Sequence, residues 1–369
     1  MGVMQRKLLA TAVASACALP AVALAQVPSS IQIYGRANVS YERIETKNSS
    51  NTAVQPNQSN WDLVDNSSRI GFRGNKDLGG GITGLFQMES RVRLNTGKDA
   101  FLTSRDSYAG LAGGYGTVRL GRTIGPVYYA TYDYISMHNH DTGTSSDALL
   151  APTVVGRQGF MNRTVWYTSP KLGAFTVDVA YSLLDGTRLT GVSSQPRYLG
   201  LVGSYDQGPL HLAASYANTK DSDLLSPSVA NDDKAYTFGG LYDFKTFVVG
   251  ALIENAKSKT VTGSDAKRNY FRVSAMMPVG KNEFHVNFGT VNHGIGGIGN
   301  GTSTTDDGAK QWTLAYNYNL TKETKVYGFY TRVHNDTNGM YGLGASVANV
   351  TQVAGLEISS IAIGVRHNF

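Results

Sequence analysis

Ile31-Gln32-Ile33-Tyr34-Gly35-Arg36-Ala37-Asn38-Val39-Ser40-Tyr41 sorts into two faces. Ile31, Ile33, Ala37, Val39 and Tyr41 share one phase, and Gln32, Tyr34, Arg36, Asn38 and Ser40 share the other. Successive side chains of an extended chain point to opposite sides, so this period of two marks a strand with one apolar and one polar face. The pattern returns in Ile82 to Leu94, where Ile82, Phe86, Met88, Val92 and Leu94 oppose Thr83, Gln87, Glu89, Arg91 and Arg93. Phe175 to Leu183, Gln311 to Tyr318, Lys325 to Val333 and Ser360 to Phe369 read the same way.

Between such segments the connections fall into two classes. Seven are tight and rich in Gly, Pro, Asn and Asp, as turn geometry requires: 75–81, 113–116, 169–173, 206–209, 242–246, 277–282 and 319–323. The others are long and polar: 43–65, 124–160, 184–196, 218–233, 256–267, 292–308 and 335–352. Short and long alternate, so the strands return to one tidy end and one elaborated end. The segments number about 16, an even count that suits up-and-down closure.

Closure removes the unpaired strand edges that would otherwise template aggregation. Strands of about ten residues, tilted about 45°, span the roughly 25 Å apolar band of an outer membrane. The predicted fold is therefore all-β: a 16-stranded antiparallel transmembrane β-barrel, apolar outside and wet within. A soluble sandwich is the competing architecture, but it does not call for this alternation of short and long connections. No apolar run after residue 25 approaches the roughly 18 residues of a membrane helix.

The first 25 residues read as a signal peptide. Arg6 and Lys7 precede the apolar run Leu8 to Leu24, and Ala23-Leu24-Ala25 offers a cleavage site, so the barrel domain would occupy residues 26–369. The single cysteine, Cys17, lies in that leader, and Ala14 stands where a lipoprotein acceptor site would need a leucine-type residue. A mature chain without cysteine has no disulfide, thiol nucleophile or thiolate metal site. The formal charge of +6 falls to +4 without Arg6 and Lys7, and the basic residues are scattered, which argues against a nucleic-acid partner.

The stretch Ile124 to Phe160 interrupts the alternation for more than thirty residues. It holds Tyr128, Tyr129, Tyr132 and Tyr134, then His138, His140, Asp141 and Asp147. So long a loop in a compact domain is functional or disordered, and its aromatic content argues against disorder.

Several motifs together resemble the general diffusion porins of Gram-negative bacteria, most of all the trimeric neisserial and burkholderial type. Ser68 to Gly74 followed by Asp77 to Gly81 is similar to their second strand and first turn. Tyr115 to Arg122 looks like the strand that leads into an inward loop. Tyr167, Ser169 and Pro170, Asn319 to Lys322, and Gly364 to Phe369 match later turns and the carboxyl end. The resemblance implies a homotrimer, passive diffusion of small hydrophilic solutes and ions, and contact with outer-membrane lipid and lipopolysaccharide. It implies that the third long loop, about 124–160, folds into the lumen as a constriction. It also implies that the terminal Phe369 is read by the outer-membrane assembly machinery.

In that family wall arginines face the inward loop. Arg69 and Arg105 match two of them; a third stands about ten residues before the Ser-Pro turn, where Phe160 sits between Arg157 and Arg163, and Arg163 is taken here. By phase Arg36, Arg73, Arg91 and Arg93 also face the lumen. Asp133, His138, His140 and Asp141 are the loop residues expected opposite them. The family's acidic loop tip is replaced by His138-Asn139-His140-Asp141-Thr142. Guanidinium groups keep their charge at ordinary pH, so with fewer opposing acids an anion preference is expected. Alternatively some arginines brace the wall through ion pairs with Glu89, Asp133 or loop carboxylates. The two histidines could tune permeation between about pH 5 and 8, or be ordinary loop residues. They lack further ligands at usable spacing, so neither metal nor cofactor is expected. Gly294 to Gly299 fits a dinucleotide fingerprint only in letters, with no strand–turn–helix context.

Tyr34, Tyr108, Tyr181, Tyr327 and Tyr330 suit an interfacial girdle, some of them alternatively the lumen. An enzyme would need a serine or aspartate partnered with histidine at a strand end, and none is evident; an adhesin would show repeats or a passenger region. The nearer alternative is a substrate-selective outer-membrane channel of the same fold.

Overall fold

A computed structural model describes residues 30–97, 105–139, 141–150, 160–183, 196–220, 232–259, 265–292, 305–344 and 350–369. The leader expected over residues 1–25, Arg157, His140 and the Gly294 to Gly299 stretch lie outside the described residues. Among the described residues seventeen strand segments form one antiparallel sheet. They are β1 (Ser30–Lys47), β2 (Gln58–Asp65), β3 (Arg69–Gly79), β4 (Ile82–Arg91), β5 (Ser107–Gly113) and β6 (Gly116–Thr123). After the long loop come β7 (Met161–Thr168), β8 (Phe175–Leu183), β9 (Arg197–Gln207), β10 (Leu210–Lys220), β11 (Asp232–Asp243) and β12 (Val248–Lys259). The last are β13 (Asp265–Val279), β14 (Asn282–Val291), β15 (Ala309–Asn319), β16 (Thr324–Asn335) and β17 (Glu357–Asn368).

The sheet closes on itself: β1 pairs with β17 from Arg36↔Asn368 to Lys47↔Glu357. On its other side β1 pairs first with β3, from Ser30↔Asn75 to Arg36↔Arg69, and then with β2, from Val39↔Asp65 to Thr46↔Gln58. Thus β2 and β3 are two halves of one stave, broken at residues 66–68, and the wall has 16 positions. The break is held from β1: Asn66 N–H donates to the Asn38 carbonyl at 2.8 Å, and Ser68 Oγ accepts from Asn38 N–H at 2.9 Å.

Burial follows the two faces read from the sequence. On β1, Ile31 is 78% exposed and Tyr41 is exposed, whereas Asn38, Ser40 and Glu42 are buried. On β17, Ile361, Ile363 and Val365 are exposed and Ile358, Ser360 and Arg366 are buried. A water-soluble protein would bury the first set; a wall that meets hydrocarbon does the reverse. Polar groups turned inward keep hydrogen-bond partners there.

Turns at one end are two to six residues long, from 80–81 and 280–281 to 169–174, and the connections at the other end are the long ones. Gly280 supports its turn with φ near 62°, a conformation costly for any residue with a Cβ. Several boundaries differ from the sequence reading, two of them markedly. The first long connection is 48–57 rather than 43–65, because Arg43–Lys47 continue pairing with β17 and residues 58–65 pair with β1. Their charged composition resembles a loop, but the ladder extends beyond the apolar band. Likewise β4 ends at Arg91, and an eighth long connection, 92–106, follows it.

Candidate functional site

The loop after β6 runs along the inside of the wall. A π-helical turn, Tyr128–Asp133, passes into a short α-helical turn, Tyr134–Ser136, and a 3₁₀ turn covers Ser146–Leu149. Thr131 and Ser136 hydroxyls donate to carbonyls four residues back, and Ser145 Oγ accepts from Asp147 N–H at the start of the 3₁₀ turn. The apolar side of the segment is fully covered: Val127, Tyr132, Ile135 and Leu149 pack against lumen-facing Leu252 and Tyr270. Gly250 on β12 makes room, since a Cβ there would meet Met137 Cε at 2.7 Å and Ile135 Cδ1 at 3.2 Å.

Polar groups on successive strands hold the same segment. The Tyr132 hydroxyl bonds Thr237 of β11 at 2.9 Å and donates to Glu254 of β12. Tyr134 stacks on His211 of β10 with ring centroids 3.8 Å apart. Arg272 of β13 donates to the Thr144 carbonyl at 2.7 Å, and Gln311 of β15 donates to the Gly143 carbonyl at 3.0 Å. His138 is fully buried, its Nδ1 bonded to Thr144 Oγ1 at 3.0 Å and its ring edge-on to His285 of β14 at 5.0 Å. Burial is the main reason its imidazole lies well below the ordinary histidine pKa. His138 is placed as an anchor of the loop against the wall, so its titration would reach the passage through the seating of the loop.

Asp141 brings the loop to the closing seam of the barrel. Its Oδ2 is 3.0 Å from Arg36 Nη1 and 3.5 Å from Arg69 Nη2. Strand register puts these cations side by side, because Arg36 faces Arg69 across β1–β3 and Arg69 faces Arg91 across β3–β4. Residues directly opposite share a face, and like charges there repel. Glu89 and Asp141 offset that repulsion. Glu89 lies 3.8 Å from Arg69 and 2.5 Å from Arg105, and accepts from the Tyr34 hydroxyl at 3.0 Å. Arg366 of β17 is buried and shares the Asn368 Oδ1 acceptor with Arg36. Four arginines thus gather around two carboxylates, with half-buried Asp133 of the loop in electrostatic range of Arg36 and Arg366.

The expected residues do not all meet. Arg36, Arg69, Arg105 and Asp141 come together, with Arg91 next to Arg69 by register. Arg73 is exposed, stands 4.8 Å over the Tyr34 ring and donates to Gln32, nearer the turn end. Arg93 lies beyond the end of β4, so its phase no longer applies. Arg163 is a correction: it is exposed, has φ 51°, shares the side of exposed Val165 and donates to the Leu183 carbonyl at 3.1 Å. The irregular pairing of β6 with β7 there turns it away from the cluster. Arg366 is the residue the sequence reading passed over. Its signal was available, since it occupies the phase opposite Ile361, Ile363 and Val365. Three of the girdle tyrosines also turn inward: Tyr34 reaches Glu89, Tyr108 reaches Gln87, and Tyr327 donates to Asn38. Phe369 is exposed, and its backbone exchanges hydrogen bonds with Gly35 at the seam.

A family described as Gram-negative porin matches residues 10–338. The chain belongs to this family. Outer membrane porin protein 32 of Delftia acidovorans is 28% identical to this porin over 99% of this chain and 100% of its own. The major outer membrane protein P.IB of Neisseria lactamica is 27% identical over 74% and 93%. Among solved structures, an anion-selective porin from Comamonas acidovorans superposes with a TM-score of 0.77 at 25% identity, covering 92% of this chain and 100% of that one. A trimer form of OmpT from Vibrio cholerae gives 0.66 at 15% identity over 92% and 99%, a likeness of fold. The protein is an outer-membrane porin, and its closed barrel serves passive diffusion of small hydrophilic solutes and ions.

Proposed function

We propose that this porin is a general diffusion channel whose neck, formed between the inward loop and the β17–β1–β3 wall, favours anions. The observation that carries the reading is the excess of cations where the loop meets the wall: Arg36, Arg69, Arg105 and Arg366 around Asp141 and Glu89. Guanidinium groups stay charged across the physiological range, and screening over about 8–10 Å confines their field to the narrow part of the passage. The similarity to an anion-selective porin supports the same direction. A homotrimer, a leader removed after Ala25 and recognition of Phe369 during assembly complete the proposal.

Reversal potentials across planar bilayers in a KCl gradient test it. Chloride should carry more of the current than potassium, and a potential of the opposite sign would overturn the reading. A substrate-selective channel would instead show saturable block of ion current by one solute. Chemical cross-linking of the extracted protein reports the trimer, and amino-terminal sequencing should begin at Gln26.

A further inference from the structure

Four side chains on neighbouring staves form one row on the lumen face, on the short-turn side of the neck. Gln32 of β1 stands opposite Arg73 of β3, Arg73 opposite Gln87 of β4, and Gln87 opposite Tyr108 of β5. Gln32 shares the face of Tyr34 and Arg36, and both Gln32 and Arg73 are exposed there. The row lies four residues along the strands from Arg36 and Arg69. That is about 13 Å, beyond the ~8 Å screening length of physiological salt, so the row is electrically separate from the neck.

Internal hydrogen bonds orient the row. Arg73 Nε donates to Gln32 Oε1 at 2.9 Å, and the Tyr108 hydroxyl donates to Gln87 Oε1 at 3.3 Å. Both amide oxygens are thus taken, which leaves the Nε2 groups of Gln32 and Gln87 as donors on either side of Arg73. The Arg73 guanidinium lies 4.8 Å over the Tyr34 ring, and Gly71 makes room for that ring, since a Cβ there would meet Tyr34 Cζ at 2.5 Å. Stacking occupies a face of the guanidinium and leaves its edge, with Nη1 and Nη2, for an acceptor. Among the described residues no carboxylate is in ion-pair distance of Arg73, and its Nη groups and the two amide nitrogens reach no acceptor. Arg119, the next cation on this wall, differs: it covers Trp166 at 4.6 Å, donates to Thr168 and has Asp178 in electrostatic range.

We infer that this row is a binding site for the carboxylate of small organic acids. Its donors lie in line across three staves, with one uncompensated cation at the centre. That suits a planar monoanion, whose two oxygens match the guanidinium fork, better than a phosphate dianion, which would want a second cation. A halide has no such geometry to satisfy. The row therefore discriminates among anions, where the neck separates anions from cations. The inference rests on the neck reading for the arrival of anions, but the two are tested by different measurements.

The test is the bi-ionic reversal potential of the porin in planar bilayers, with potassium chloride on one side and potassium acetate or formate on the other. Arg73→Lys keeps the charge and loses the fork; Gln87→Leu removes a donor and leaves the charge alone. Both should lower the acetate-to-chloride and formate-to-chloride permeability ratios about 3-fold or more, as expected for a lost hydrogen bond to a charged group in a wet site. Reversal potentials in a plain KCl gradient should stay at the parent's value, and heat-modifiable gel mobility confirms folding. Carboxylate ratios unchanged in both variants would overturn the assignment. So would a fall matched by an equal shift of the KCl potential, which marks a general field effect. A potassium-preferring parent whose carboxylate ratios still fall in the variants would sink the neck reading and leave the row standing.

Discussion

Replacing Asp141 by Asn isolates the electrostatics of the neck. The carboxylate lies 3.0 Å from Arg36 and 3.5 Å from Arg69, and the asparagine amide keeps its shape while removing one negative charge. For an ion passing about 8 Å away, the Coulomb term in water is about 0.5 kcal/mol. Screening reduces it to about 0.2 kcal/mol at 0.1 M salt and about 0.4 kcal/mol at 0.01 M. The change favours chloride and disfavours potassium by equal amounts, so the chloride-to-potassium permeability ratio should rise about 2-fold at 0.1 M and about 4-fold at 0.01 M. Arg366→Gln should shift the same ratio by a similar factor in the opposite direction. Reversal potentials at the two ionic strengths provide the assay, with heat-modifiable gel mobility confirming that each variant is folded. A ratio in Asp141→Asn that stays level, falls, or does not depend on salt would refute the account, because each would mean that the cluster is sealed away from the permeating ions.

Arg163→Ala should leave selectivity unchanged, since this side chain is exposed at β7 and held by the Leu183 carbonyl; a shift comparable to that of Arg366→Gln would return it to the neck. Loop seating should weaken as pH falls below about 6.5, because an unseated His138 takes up a proton that the buried ring, facing His285 with Lys325 and Glu283 nearby, resists. Above that pH the ring is neutral in both states and seating should be constant; current fluctuations should therefore grow only on the acid side, and His138→Gln should flatten the response. Arg272→Met removes the donor to the Thr144 carbonyl, and leaving that buried acceptor unpaired costs about 1–3 kcal/mol, which should appear as increased open-channel noise. At Gly35 a Cβ would meet Phe369 Cζ at 2.3 Å and the Arg69 carbonyl at 2.6 Å, so Gly35→Val should lower the temperature at which the folded gel band is lost.

The barrel was legible because its determinant is local. One residue's side of a strand fixes that of its neighbours, so Ile31 through Tyr41 disclosed the two faces without knowledge of the partners. The boundaries at Lys47 and Arg91 were less legible, since the ladder continues into charged residues and stops for reasons of pairing rather than hydropathy. Arg163 was taken from the family's spacing before the Ser-Pro turn, and that spacing does not disclose the positive φ and uneven β6–β7 register that turn the side chain outward. Arg366 was missed although its phase was correct, because reading the last strand for its lipid face drew attention from the face behind it. The loop's seating was beyond sequence altogether: which carbonyl meets Arg272, or which ring meets His138, depends on strands more than a hundred residues away.

That last dependence shapes the site. The loop is fixed on one side by Tyr132, Tyr134, His138, Thr144 and Gly143 against β10 to β15, and Asp141 carries it to β1 and β3, with Asp133 in electrostatic range of Arg36. The apolar and hydrogen-bonded contacts set where Asp141 stands. Asp141 therefore need not supply the loop's binding energy, and its ion pairs can remain partly wet, with side-chain exposures of 12% for Arg36, 16% for Arg69 and 14% for Asp141. A dry pair would be strongly coupled to folding and unresponsive to bulk salt, whereas a pair at the water boundary leaves residual positive potential within reach of a passing anion. Division of labour between the buried side of the loop and its charged end is what allows single charges at the seam to change selectivity without unseating the loop.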